Sequence, residues 1–152
     1  MTSQEGALMI YFKFDVEPVG KGRPRITRRG NYAHAYTPKR TKNFEETIKF
    51  EFMSNTCDKL PIYPKEVPLK VEMVFAFQVP KSYSKTKREK CLLGIIQHTK
   101  KPDADNVAKA VCDSLNGLAF EDDSQITVMT LEKIYAEEPY VEIKIIPVNG
   151  EE

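Results

Sequence analysis

Paired cysteines are missing from this chain. Its three cysteines, Cys57, Cys91 and Cys112, are odd in number and widely spaced. No Cys-x-x-Cys pair exists, so neither a disulfide framework nor a zinc site is supported, and free thiols in a reducing cytoplasm are expected. Long hydrophobic runs are missing too. No apolar stretch approaches the roughly 20 residues of a membrane span. Met1 to Ala7 carries Glu5 and no basic residue, unlike a secretory signal. The expectation is a soluble cytoplasmic protein with no membrane partner. Histidine is scarce: His34 and His98 stand alone, with no pattern of a zinc site or a nucleophile triad. Gly20-Lys21-Gly22 lacks Walker A spacing. Asp103-x-Asp105 lacks the glycine and the closing glutamate of a calcium loop.

What remains is a chain of 152 residues, 41% hydrophobic and 30% charged, a balance that fits one folded domain (1–152) and not a disordered segment. Its net charge is only +1, so the field of the whole molecule says little about partners. The distribution says more. From Lys21 to Lys42 there are eight Lys or Arg residues and no acid, with Lys13 just upstream, while acids concentrate after Asp103. A second basic stretch holds Lys81, Lys85, Lys87, Arg88 and Lys90. Such segregation can set a positive groove around an acidic centre.

Periodicity places the elements. Met9 to Val16 reads as a strand; Pro18, Gly20, Gly22 and Pro24 then break regularity in a basic loop, and Tyr32 to Tyr36 can form a short extended arm. Thr37 followed by Pro38 signals a helix start, and Phe44, Ile48 and Phe52 recur at helical spacing to about Ser54. Leu69 to Phe77 alternates as a strand. Ser82 or Ser84 can cap a very basic helix that ends near Leu93 and Gly94. A further helix starts at Asp103, and Gln125 to Tyr135 and Tyr140 to Ile146 read as two strands joined around Pro139. The order predicts an α+β domain, a mixed sheet with helices packed on it.

The chemistry concentrates in Lys101-Pro102-Asp103-Ala104-Asp105-Asn106, with Lys109 beyond and Asp122-Asp123 after the helix. On a helical wheel Ala104, Val107, Ala108, Val111 and Leu115 share one side, and Asp105, Asn106, Lys109 and Asp113 occupy the other. An Asp at a helix start is usually a cap, and Asp-x-x-x-Lys is usually a solvated ion pair. Two carboxylates at one N-terminus exceed what capping needs. Reversal after Asn116-Gly117 can return Asp122 or Asp123 to the same place. Oxygen donors beside an ammonium suit a hard cation such as Mg²⁺, which favours a few carboxylates, waters and substrate phosphates. The leading reading is metal-assisted phosphodiester cleavage. Lys21, Arg23, Arg25, Arg28 and Arg29 form the loop expected to grip DNA phosphates, its glycines shaped for close approach.

These motifs resemble the RusA family of Holliday junction resolvases: Asp103-x-Asp105-Asn106-x-x-Lys109, Asp113-Ser114-Leu115 on the same helix, and Asp122-Asp123. Gly20-Lys21-Gly22-Arg23-Pro24-Arg25, the Tyr36-Thr37-Pro38 helix start and the C-terminal strand pair are similar too, so the resemblance covers nearly the whole chain. It implies a small homodimer, often prophage-borne, that cuts four-way DNA junctions with Mg²⁺ or Mn²⁺. It implies that Asp103, Asp105 and Asp123 are metal ligands, with Asp122 a possible substitute for the third. Lys109 would stabilise charge on the scissile phosphate or leaving oxygen, and Asn106 would orient the acids. Two other readings stand beside it: a non-catalytic nucleic-acid-binding dimer, and a general structure-selective nuclease acting on flaps.

Overall fold

The computed structural model describes residues 8–22, 25–36, 38–56 and 59–148, with the backbone alone at residue 25 and residues 34–36. Arg23, Thr37 with its expected cap, Cys57 and the segment Met1 to Ala7 lie outside the described residues. The elements run β1 (Ile10–Phe14), β2 (Arg25–Arg29), β3 (Tyr32–Tyr36), α1 (Lys39–Ser54), β4 (Leu69–Gln78), α2 (Lys85–Leu92), α3 (Ala104–Leu115), β5 (Ile126–Ala136) and β6 (Tyr140–Pro147). This is the expected α+β class.

Four strands form a mixed sheet in the order β1-β6-β4-β5, with β4 parallel to β5 and the other pairs antiparallel. The parallel pair requires a long crossover, and it carries α2 and α3. Alternation along β4 sets the layers. Leu69, Val71, Met73 and Phe75 are buried, and with Val141, Ile143 and Ile145 of β6 they build the apolar face. On the other face Glu72 pairs with Lys70 and with Lys144 across the β4–β6 register. One face is therefore core and the other is charged and wet, as antiparallel pairing allows.

Helices cover the apolar face. α1 buries Phe44, Ile48 and Phe52, and the Phe52 ring lies 5.2 Å from that of Phe12 on β1. α3 contacts α1 as well as β4 and β5, and it buries more than the wheel predicts: Ala110, Cys112 and Ser114 go under along with Val107, Ala108, Val111 and Leu115. Small side chains allow this close approach on a second side. The buried Ser114 hydroxyl donates to the Ala110 carbonyl at 2.7 Å, so it costs no unsatisfied group.

The last two strands form where expected; they are consecutive but not hydrogen-bonded to each other, and β4 takes the position between them. One expectation is corrected. Residues 25 to 36 are not a loop with an arm but a two-stranded hairpin turning at Gly30-Asn31, with Arg29 paired to Tyr32. Gly30 has φ 58°, the left-handed value that the first position of a two-residue type II′ turn requires.

Candidate active site

The acidic motif sits at the N-terminus of α3, but its carboxylates diverge. Asp103 is the N-cap residue with extended backbone, φ −70° and ψ 146°, and its side chain caps nothing. Asp105 lies in the first turn. Two residues along a helix is about 200° of rotation, so neighbours in sequence face different ways. Asp103 lines a cleft of about 570 Å³ with Lys21, Arg40, Lys101 and Asn106. Asp105 lines a smaller cavity of about 190 Å³ with Lys109, Cys112 and Asp123. The expected cluster of three carboxylates is not formed: among the described residues no three His, Cys, Asp or Glu side chains converge on a metal-sized site. Asp105 and Asp123 line one cavity; Asp103 lines a separate cleft.

Asp123 reaches that cavity because the turn before β5 is fixed. Asp122 caps a short 3₁₀ turn, Asp123–Gln125, its carboxylate accepting from the Ser124 amide at 2.9 Å. The Gln125 side chain accepts from the amides of Glu121 and Asp122 at 2.8 and 3.0 Å, completing a capping box. Its Nε2 donates to the carbonyls of Pro64 and Val67 at 2.8 and 2.9 Å, anchoring the turn to the loop before β4. Gln125 is buried and was no part of the acidic motif. The Asp-x-x-Gln spacing was the signal that could have found it. Cys112 reports on the arrangement: burial first, then the negative charges of Asp123 and Asp113, pushes its thiol up to about 12. The one thiol in the cavity is thus held in its protonated form, and the anionic donors left there are the carboxylate oxygens of Asp105 and Asp123.

Lys109 is held, though not by the expected partner. Its Nζ lies 3.3 Å from Asp113 Oδ1, one turn on, and not against Asp105. Asp113 Oδ2 in turn accepts from Lys21 Nζ at 3.0 Å, and Lys21 also meets Glu45 Oε2 of α1 at 2.7 Å. Burial alone would lower the Lys21 pKa, but the hydrogen bonds to Glu45 and Asp113 outweigh it and the pKa is raised. Both acceptors are anions, so the charge of this expected phosphate contact is matched inside the chain. Lys21 fastens α1 to α3.

The glycines beside it make a close approach, but to their own chain. The Lys21 amide donates to the Asn106 carbonyl at 2.9 Å, and the Gly22 amide donates to Thr41 Oγ1 at 3.0 Å. A Cβ on Gly22 would stand 2.8 Å from Pro38 Cγ and 3.1 Å from Thr41 Oγ1. Gly22→Ala should therefore lower stability by about 1–3 kcal/mol through overpacking, read by urea titration. An unchanged midpoint would mean that this clasp yields without cost.

Arg28 and Arg29 are exposed on β2, as are Ile26 and Tyr32 on the same hairpin. Of Arg25 the structure gives only its place at the start of β2. The hairpin forms a sheet of its own, separate from the main one.

A divalent cation fits this donor set. Mg²⁺ is commonly held by one or two carboxylates, with waters and substrate phosphates completing its octahedron. Asp105 and Asp123 supply two carboxylates in one cavity beside a protonated thiol. Over residues 15–146 the chain matches the family described as endodeoxyribonuclease RusA. It is also 37% identical over 144 residues to the uncharacterized protein YqaN of Bacillus subtilis (strain 168), a match covering 93% of this chain and 100% of that protein.

Proposed function

The chain belongs to the RusA endodeoxyribonuclease family, and on that premise we propose that it is a Mg²⁺-dependent endonuclease that resolves four-way DNA junctions by paired symmetric nicks. The observation that carries this reading is the shared cavity of Asp105, Lys109 and Asp123. Asp105 and Asp123 would hold the cation, with Asp103 at the separate cleft as the third acid; Mn²⁺ is the natural substitute. Bound there, it supplies Lewis-acid chemistry: a more acidic water and neutralised phosphate charge. Asp113 holds the Lys109 ammonium at the cavity wall, where it can meet negative charge on the scissile phosphate or leaving oxygen. Asn106, whose carbonyl accepts from the Lys21 amide, keeps the start of α3 in register with the clasp.

The substrate supports a dimer. A four-way junction offers two strands for symmetric cuts, and a C₂ pair presents two equivalent sites. Met129 on the edge strand β5 lines the cavity and is exposed, an apolar contact that a second copy would cover. Arg28 and Arg29 on the hairpin, with Arg25 at the start of β2 and Arg23, would grip DNA phosphates.

The first experiment is cleavage of an end-labelled junction. Paired nicks in Mg²⁺ and none in EDTA are expected, with the junction cut in preference to a flap or a linear duplex. Equal cleavage in EDTA would remove the metal from the reaction. Equal rates on a flap would make this a general structure-selective nuclease.

A further inference from the structure

A second positive surface lies on α2 and the segment that leads into α3, away from the hairpin in the chain. α2 buries only Cys91, so no apolar stripe explains its composition. Lys85, Lys87 and Lys90 on the helix, Lys81 before it and Lys100 nearby are all exposed. Among the described residues none of the five is in an ion pair. Four other lysines, Lys21, Lys70, Lys109 and Lys144, do meet carboxylates.

Here the cations gather around a neutral ring instead. Lys87 Nζ sits 3.8 Å from the centroid of Tyr83, and Lys100 Nζ lies 5.4 Å from the same centroid. Lys100 also donates to the Tyr83 hydroxyl at 2.9 Å. A phenol and a π face position ammonium groups without neutralising them. The result is like charge collected and pre-oriented around one ring, with Glu89 as the one acid on α2 and no ion pair to it among the described residues.

The segment is tied to the site. Lys133 of β5 donates to the carbonyls of Lys100 and Pro102 at 2.7 and 2.9 Å, and Lys101 and Pro102 line the cleft with Asp103. An anion spanning from that cleft to Tyr83 would have to be extended and regularly charged, which describes a nucleic-acid backbone.

We propose that Lys87 and Lys100, organised by Tyr83, together with Lys85 form a second DNA-backbone contact that binds phosphates of an arm leading away from the cut. This rests on the reading of the chain as a DNA nuclease. Each phosphate contact contributes about 0.9 to the slope of log K against log salt. The K87Q/K100Q double variant should therefore lower the slope for junction binding by about 2, while its cleavage rate at saturating junction stays at the wild-type value. Tyr83→Leu, which keeps both charges but frees them, should weaken binding with a smaller change in slope. A wild-type slope in the double variant, with wild-type protein binding and cutting normally, would overturn the proposal alone. Wild-type protein that neither binds nor cuts DNA would overturn the nuclease reading itself. Loss of binding to phosphatidylserine vesicles with DNA binding untouched would assign the surface to membranes and so sink the proposal.

Discussion

Asp105→Asn should reduce junction cleavage by more than about 100-fold, since removing even an outer-shell partner of a metal site costs 10–100-fold. The change keeps size and hydrogen-bonding capacity while removing a negative charge and a strong oxygen donor. Fold and DNA binding should survive, because Asp105 is exposed on the first turn of α3 and none of the ion pairs described above uses it. A carboxylate there does gain from the positive end of the helix, worth about 0.3–1 kcal/mol, so a small drop in thermal stability is expected. Two measurements check the assignment. Cleavage of a labelled junction gives the activity, and Mn²⁺ binding followed by electron paramagnetic resonance gives the site directly. Wild-type Mn²⁺ affinity in the Asp105→Asn protein would show that the cation is held elsewhere, whatever the activity did.

Much of this architecture was legible because single-segment patterns carry it. The alternation of β4, the helical spacing of Phe44, Ile48 and Phe52, and the cap at Ser84 all report local physics, and each element is found near its expected place. The hairpin was also written in the chain. Gly30-Asn31 is a turn signal between two short runs, but Arg25, Arg28 and Arg29 make the first of them look like a charged loop and not a strand. The partnership of β4 with both β5 and β6 was not legible, since pairing is decided by which strand best fills the sheet centre.

The site divides along the same line. That Asp103, Asp105 and Asp123 share one end of α3 follows from the motif; that Asp103 turns into a different cleft from Asp105 follows from helix rotation, which spacing in sequence conceals. Lys109 had two carboxylates at four residues, Asp105 and Asp113. Tertiary structure chose Asp113, because Lys21 arrives from a distant loop and fixes that carboxylate between two ammonium groups. The same contact makes Lys21 a tie between α1 and α3.

The neighbouring acids Asp122 and Asp123 should separate cleanly on mutation. Asp123 shares the cavity with Asp105 and Lys109, and its charge helps to raise the Cys112 thiol. Asp122 is turned to the Ser124 amide, and that hydrogen bond holds its carboxyl below the usual carboxylate range. Asp123→Asn should therefore lose more than about 100-fold in cleavage, on the same ground as Asp105→Asn, with the 3₁₀ turn intact. Asp122→Asn should keep activity within a few-fold, because asparagine is an equally good cap and Gln125 still anchors the turn. The Cys112 thiol supplies a readout independent of catalysis. Removing the Asp123 charge should lower its pKa and speed its alkylation by iodoacetamide at alkaline pH in the folded protein, whereas Asp122→Asn should leave that rate unchanged. Cleavage lost in Asp122→Asn and retained in Asp123→Asn would reverse the assignment and make the capping carboxylate the one that must swing toward the metal.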